Sequence, residues 1–176
     1  MTDGLFRRAP ILDGRLSAAM ALAEGTQVFA DIGADHGRLS AVMLLSGARH
    51  ALVADISAAA LEKARRRLHA LDLDSRVTFA VADGLAALDT LKQAPDTVFV
   101  LGMGGETISG ILRRGCARLD GAALILGAQT DLPTVRSVVC EVGYRIRREV
   151  IALSPGPPPA VYPRLSPDAH GETQKA

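Results

Sequence analysis

The sequence predicts an α/β fold: a doubly wound, mostly parallel sheet with helices on both faces. Three observations carry that expectation. Short apolar runs alternate with helix-forming stretches along most of the 176 residues, the pattern that selects a parallel sheet. The apolar fraction is 48% with only 3% aromatic residues and no Trp, which implies a core of Ala, Val, Leu and Ile, as in strands buried between helix layers. Finally, the first strand runs into Asp31-Ile-Gly-Ala-Asp-His-Gly37, and open α/β sheets bind their ligands at such strand ends. Glycine is needed there because a Cβ would block either the turn or the ligand.

The elements follow in order. Residues 1–9 read as a loose arm. Leu12, Leu16, Ala19, Met20 and Ala23 recur at helical spacing, so a helix is expected there, capped around Asp13, ended by Gly25 and placed to cover part of a pocket. Strand one is Val28 to Asp31, and a helix from Arg38 to Ser46 is stopped by Gly47. A second strand, Ala51 to Ala54, ends in Asp55. The stretch Ala58 to Leu71 is rich in helix formers, with Leu61, Ala64, Leu68 and Leu71 on one face. Strand three, Val77 to Val81, ends at Asp83-Gly84, and a short helix reaches Leu91. Strand four, Thr97 to Leu101, runs into Gly102-Met-Gly-Gly105. A helix through Ile108, Ile111 and Leu112, strand five over Ala123 to Leu126, a helix from Leu132 to Val142 and strand six over Tyr144 to Leu153 complete the alternation. Proline then crowds the chain, and because proline cannot donate to a sheet ladder, a strand around Val161 to Leu165 is expected to be short or at an edge.

One domain over residues 1–167 is expected, with 168–176 as a disordered tail. The net charge of +1 announces no nucleic acid partner through the global field. Cys116 and Cys140 lie far apart with no Cys/His cluster, so neither a metal site nor a disulfide framework is indicated, and buried thiols are expected. No apolar run is long enough for a signal segment or a membrane span, so a cytoplasmic protein without membrane contact is expected. The sequence does not report an oligomeric state.

Polar or glycine clusters end the first four strands: Asp31 to Gly37, Asp55, Asp83-Gly84 and Gly102 to Gly105. Their common position points to one shared ligand site. Asp55 falls where a ribose-binding carboxylate sits, some twenty residues after the turn. The turn nevertheless lacks the Gly-x-Gly-x-x-Gly spacing that brings a helix N-terminus onto a pyrophosphate. Its acids would repel phosphate and suit a cationic ligand, which favours S-adenosyl-L-methionine, with its amino group and sulfonium, over NAD.

These motifs resemble the bacterial tRNA (adenine-22-N1)-methyltransferases, the TrmK family of class I methyltransferases. The resemblance rests on the helix around Leu16, Ala30-Asp-Ile-Gly-Ala-Asp-His36, Asp55, Asp83-Gly84-Leu85, Gly102-Met-Gly-Gly105 and Val142-Gly-Tyr-Arg-Ile146, and covers about residues 12–165. It implies a Rossmann-like sheet of the class I methyltransferase type and methyl transfer from S-adenosyl-L-methionine to N1 of adenine in tRNA or a related structured RNA. It further implies that Asp31, Gly33, Asp35, His36 and Gly37 line the methionine end of the cofactor, that Asp55 and Ile56 hold the ribose, and that Asp83, with Gly84 beside it, meets the adenine amino group. Gly102, Met103 and Gly104 would form the wall between methyl donor and target base. Asp31, His36, Met103 and Gly104 are accordingly the catalytic candidates. Asp31 would either stabilise the cationic product base or hold the cofactor amine; His36 is alternatively a helix-start residue bonded to backbone, and Met103 alternatively packing. Glycines at 104 and 105 would let a base edge come close.

Two departures from the family are visible. The family continues into a C-terminal helical extension, in place of which only a proline-rich tail is expected here, and Gly127-Ala128-Gln129 stands where a more polar segment is expected, with Gln129 as the residue left to contact the base. Three arginine clusters, Arg65 to Arg67, Arg113-Arg114-Arg118 and Arg145-Arg147-Arg148, are the candidates for RNA phosphate. The rival readings are a small-molecule methyltransferase of the same fold and a SAM- or RNA-binding module that has lost catalysis.

Overall fold

The computed structural model describes residues 9–152 and 160–168. A seven-stranded sheet in the order β3-β2-β1-β4-β5-β7-β6 forms its centre. The first five strands, β1 (Val28–Ile32), β2 (His50–Asp55), β3 (Val77–Val81), β4 (Thr97–Met103) and β5 (Ala123–Ala128), pair in parallel. Strands β6 (Tyr144–Ala152) and β7 (Ala160–Pro167) pair antiparallel to each other, and β7 to β5. The chain leaves β1 towards β2 on one side and returns to β4 on the other, so the order reverses between β1 and β4. Such a switch point opens a crevice beyond the carboxyl ends of the strands.

Side chains alternate across each strand, and the alternation divides the core. Phe29, Val53, Phe99 and Ile125 face α1 (Gly14–Leu22), α2 (Arg38–Leu45) and α3 (Ala58–His69). Ala30, Leu52, Val98, Val100 and Leu124 face α4 (Gly105–Gly115) and α5 (Leu132–Glu141). Phe29 and Phe99 meet edge to face at 5.9 Å, a favoured arrangement for aromatic pairs. The helix starts use local chemistry. Asp13 accepts from the amides of Arg15 and Leu16 at 3.1 and 3.0 Å, and Ser57 from that of Ala60 at 3.2 Å, each satisfying an orphan helix donor.

Three expectations are corrected. The segment around Val161 to Leu165 is neither short nor at an edge: β7 runs for eight residues and lies between β5 and β6. Its prolines are tolerated because the ladder to β5 consists only of Leu124 with Leu165 and Ile125 with Arg164, stopping just short of Pro163, which has no N–H to offer. The short helix expected after β3 is present, as a 3₁₀ helix over Gly84–Thr90. Cys140 is exposed and Cys116 only half-buried against the core, so the thiols are not both buried. Gly105 leaves no room for a substrate, as shown below. Strand six ends at Ala152 in the described residues; Leu153, the loose arm to residue 8, and the tail beyond Asp168 lie outside them. No helix among the described residues is long and apolar enough to cross a membrane.

Candidate active site

The β1–α2 turn is built by backbone constraint. Gly33, Asp35 and Gly37 take positive φ angles of 73°, 47° and 64°, a region that costs an L-residue roughly 1–2 kcal/mol. The amides of Gly33 and Ala34 donate to the Ala54 carbonyl at 2.8 and 3.0 Å, which ties the turn to the end of β2. Asp55 completes the tie: one carboxylate oxygen accepts from the Asp35 amide at 3.2 Å and the other from the Ser57 amide at 2.8 Å. Glycine at 37 has a packing reason as well, since a Cβ there would lie 2.9 Å from the Ala64 Cβ of α3.

A cleft of about 390 Å³ opens above this turn, within the range of small-molecule sites. Asp31, Gly33, Ala34, Asp35 and His36 form one wall, Leu101, Gly102 and Gln129 another, and Asp13, Arg15 and Leu16 of α1 with Tyr162 of β7 close the rest. Helix α1 thus covers the pocket as the sequence suggested. At its base Asp31 is 4% exposed. It accepts hydrogen bonds from Ser40, the one from the hydroxyl at 2.6 Å, and among the described residues no cation pairs with it. Burial pushes its pKa from 3.8 up to about 6, against the Ser40 hydrogen bond, with the Asp55 charge adding to the rise. A buried carboxylate without a counter-ion is costly, and a ligand ammonium in the cleft would relieve that cost.

The imidazole Nδ1 of His36 and the Asp35 carboxylate lie 2.5 Å apart. His36 is therefore a helix-start residue held by a side chain, with its ring at the cleft wall. Gly102, at φ 73°, has nothing within 4 Å of where a Cβ would stand, whereas a Cβ at Gly105 would meet the Thr130 and Asp131 carbonyls at 2.5 and 2.7 Å and one at Gly104 the Thr130 hydroxyl at 3.2 Å. The free space beside the cleft therefore belongs to Gly102; Gly105 lets α4 approach its own chain's backbone. Met103 packs its methyl against Gly33, 2.0 Å from a hypothetical Cβ there, and so fills space behind the turn rather than lining the cleft.

Asp55, Ile56, Asp83 and Gly84 lie at the strand ends but outside the cleft lining. Ile56 is 72% exposed. Asp83 holds the Arg114 guanidinium at 3.3 Å, and a Cβ on Gly84 would touch Ile111 at 3.0 Å. Sequence reasoning missed Ser40, Arg15, Arg38, Leu101 and Tyr162. Ser40 carried one signal, a polar residue amid the apolar run of α2. Tyr162 carried none, and its ring is admitted by Gly127, where a Cβ would lie 2.6 Å from it. Burial raises the Tyr162 pKa, which keeps the phenol neutral. No group of three or more metal-ligating side chains occurs among the described residues.

Comparison with solved structures places this architecture. The B. subtilis m1A22 tRNA methyltransferase TrmK superposes with a TM-score of 0.80 at 28% identity over 89% of this chain and 67% of its own. A protein of Listeria monocytogenes serotype 4b superposes with 0.83 at 26% identity, over 93% and 71%. M. capricolum TrmK, solved with S-adenosyl-homocysteine, gives 0.81 at 21% identity over 90% and 70%, which speaks for the fold alone. No curated protein matches the sequence. A family model described as a methyltransferase domain matches residues 12–156, and the chain belongs to that methyltransferase family.

Proposed function

We propose that the protein transfers the methyl group of S-adenosyl-L-methionine to N1 of an adenine in tRNA. The observation that carries this reading is Asp31, a buried carboxylate without a cationic partner among the described residues, at the base of a cleft on the β1/β4 switch point. The donor set fits the cofactor: Asp31 would take its ammonium, Asp55 and Ile56 its ribose, and the backbone around Gly33 would pass close to its chain. S-adenosyl-L-methionine supplies an electrophilic methyl on a sulfonium. The 28% identity to the TrmK enzyme, whose substrate is tRNA, supports RNA as the acceptor.

The chain's part in the reaction is to position the reactants. Adenine N1 has a free lone pair, so it forms the new N–C bond directly while the S–C bond breaks and its electron pair stays on sulfur. No proton has to leave first, and alignment does most of the work. Gly102 provides the side-chain-free surface along which a base edge can reach the cleft, with Gln129 beside it. N1 lies on the Watson-Crick edge, so a paired adenine has to be extruded before it reacts. Asp83 would have to share its carboxylate between Arg114 and the adenine amino group, and Met103 acts through its packing on Gly33.

The test is transfer of tritiated methyl from S-adenosyl-L-methionine to bulk tRNA, followed by nucleoside analysis. Label in N1-methyladenosine is expected. Calorimetry showing no heat with the cofactor at high protein concentration would overturn the reading, and label on a small molecule but never on RNA would replace the substrate.

A further inference from the structure

The three arginine clusters are not equivalent in the fold. Arg113, Arg114 and Arg118 are held by Glu141 at 3.0 Å, Asp83 at 3.3 Å and Asp89 at 3.0 Å. Arg145 pairs with Asp168 at 2.5 Å, and Arg147 donates to the Ser166 hydroxyl at 2.7 Å. Arg113, Arg114, Arg118 and Arg145 are thus paired within the chain, whereas Arg147 and Arg148 make no ion pair among the described residues but do not line the cleft. On α3, Glu62 takes Arg66 at 3.1 Å and Arg65 at 3.8 Å, while Arg65 also lies over the Phe79 ring at 4.2 Å. Lys63 and Arg67 make no ion pair among the described residues.

Positions 63, 66 and 67 are three and four residues apart and therefore share one face of the helix. That face forms one side of an open groove of about 840 Å³, whose other side is the Pro10-Ile11 segment. The Arg38 guanidinium donates to the Ile11 carbonyl and so pins that segment in place. His36 and Arg38 line both this groove and the cleft that holds Asp31. A strand leaving the cleft past His36 thus enters a channel with unpaired cations on one wall and Ile11, 87% exposed, on the other. The helix C-terminus by itself favours basic residues in its last turn, but Lys63 lies a turn earlier and outside that effect.

We propose that this groove carries the RNA backbone flanking the target base, with Lys63 and Arg67 on phosphates and Arg66 joining them when it leaves Glu62. The inference rests on RNA being the substrate, as proposed above. A polyanion fits better than a protein partner because the groove joins the cleft directly and its wall is cationic over more than one helical turn.

The test uses the full chain and bulk tRNA, comparing Lys63→Ala/Arg67→Ala with a control that removes two unpaired, exposed cations elsewhere, Arg49→Ala/Lys92→Ala. The groove variant is expected to bind tRNA on the order of tenfold more weakly and to lose about two from the slope of log affinity against log salt. KM for tRNA should rise with it, while kcat and the calorimetric affinity for S-adenosyl-L-methionine, which also reports correct folding, stay at wild-type values. Unchanged tRNA affinity and salt slope, or an equal loss in the control, overturns the proposal, as does a wild-type protein that binds no RNA. Salt-dependent RNA binding through Lys63 and Arg67 without any methylated product would sink the proposed activity and leave the groove standing.

Discussion

Replacing Asp31 by Asn separates what the residue costs the fold from what it does for a ligand. The folded protein holds the Asp31 proton more tightly than the unfolded chain does, with a pKa of about 6 against 3.8. Its contribution to stability is therefore fully present below about pH 3.8 and is lost as pH rises through about 6. A rise of about two pH units corresponds to about 3 kcal/mol at roughly 1.4 kcal/mol per unit, the penalty for keeping the carboxylate charged at neutral pH. Asn has the same shape, can still accept from the Ser40 hydroxyl, and carries no charge. The ligand-free Asp31→Asn protein should accordingly melt higher than wild type at pH 8, by up to about 6–12 °C for a chain of this size, and the two should converge near pH 4. Adding S-adenosyl-L-methionine should reverse the order, because wild type gains stability by mass action and the variant has lost the partner of the ammonium. Melting curves at pH 4 and 8, with and without the cofactor, contain the whole comparison. A variant that is less stable by the same amount at both pH values, with its cofactor-induced shift intact, would falsify the assignment of Asp31 as an ammonium receptor.

Three further outcomes follow from the same geometry. Cofactor affinity should fall as pH drops below about 6, because Asp31 must give up its proton to accept a cation; Ser40→Ala removes a hydrogen bond that lowers this pKa, so calorimetry across pH should place its midpoint higher than in wild type. Gly33→Ala should cost about 1–2 kcal/mol in denaturant unfolding, chiefly from the positive φ, because the Met103 methyl that it meets ends a flexible side chain able to move aside; Met103→Ala in the same chain should recover little of the loss, and full recovery would show that φ is not strained. Gly105→Ala meets backbone carbonyls that cannot rotate away and should cost more stability than Gly102→Ala, whose methyl meets nothing within 4 Å and whose cost is that of the positive φ alone, about 1–2 kcal/mol. Gly102→Ala should instead act on turnover by placing a methyl beside the cleft, so equal effects of the two on unfolding would refute the division of roles.

Much of the strand and helix order was legible because buried strands and amphipathic helices write their periodicity directly into the chain. The β1–α2 turn was legible for a local reason too, since Gly33 and Gly37 mark backbone angles that other residues adopt at a cost. The assignment at 105 went astray because a glycine announces a close approach without saying to what. Only the fold brings Gly105 against Thr130 and Asp131 while Gly102 faces open space. The arginine clusters were alike in sequence because ion pairs such as Arg113 with Glu141 and Arg118 with Asp89 join residues 28 and 29 positions apart.

The sequence by itself determined the parallel core, the strand-end position of the site and the acidic character of its turn, since hydrophobic period, turn chemistry and charge are properties of neighbouring residues. Only the tertiary structure decided that β7 inserts between β5 and β6 and brings Tyr162 to the cleft, and that Asp31 is buried against Ser40. The tertiary structure also decided that Lys63 and Arg67 remain unpaired among the described residues beside that cleft. Burial, strand insertion and charge neutralisation arise between segments distant in the chain, and no local pattern of residues specifies which distant segment will arrive.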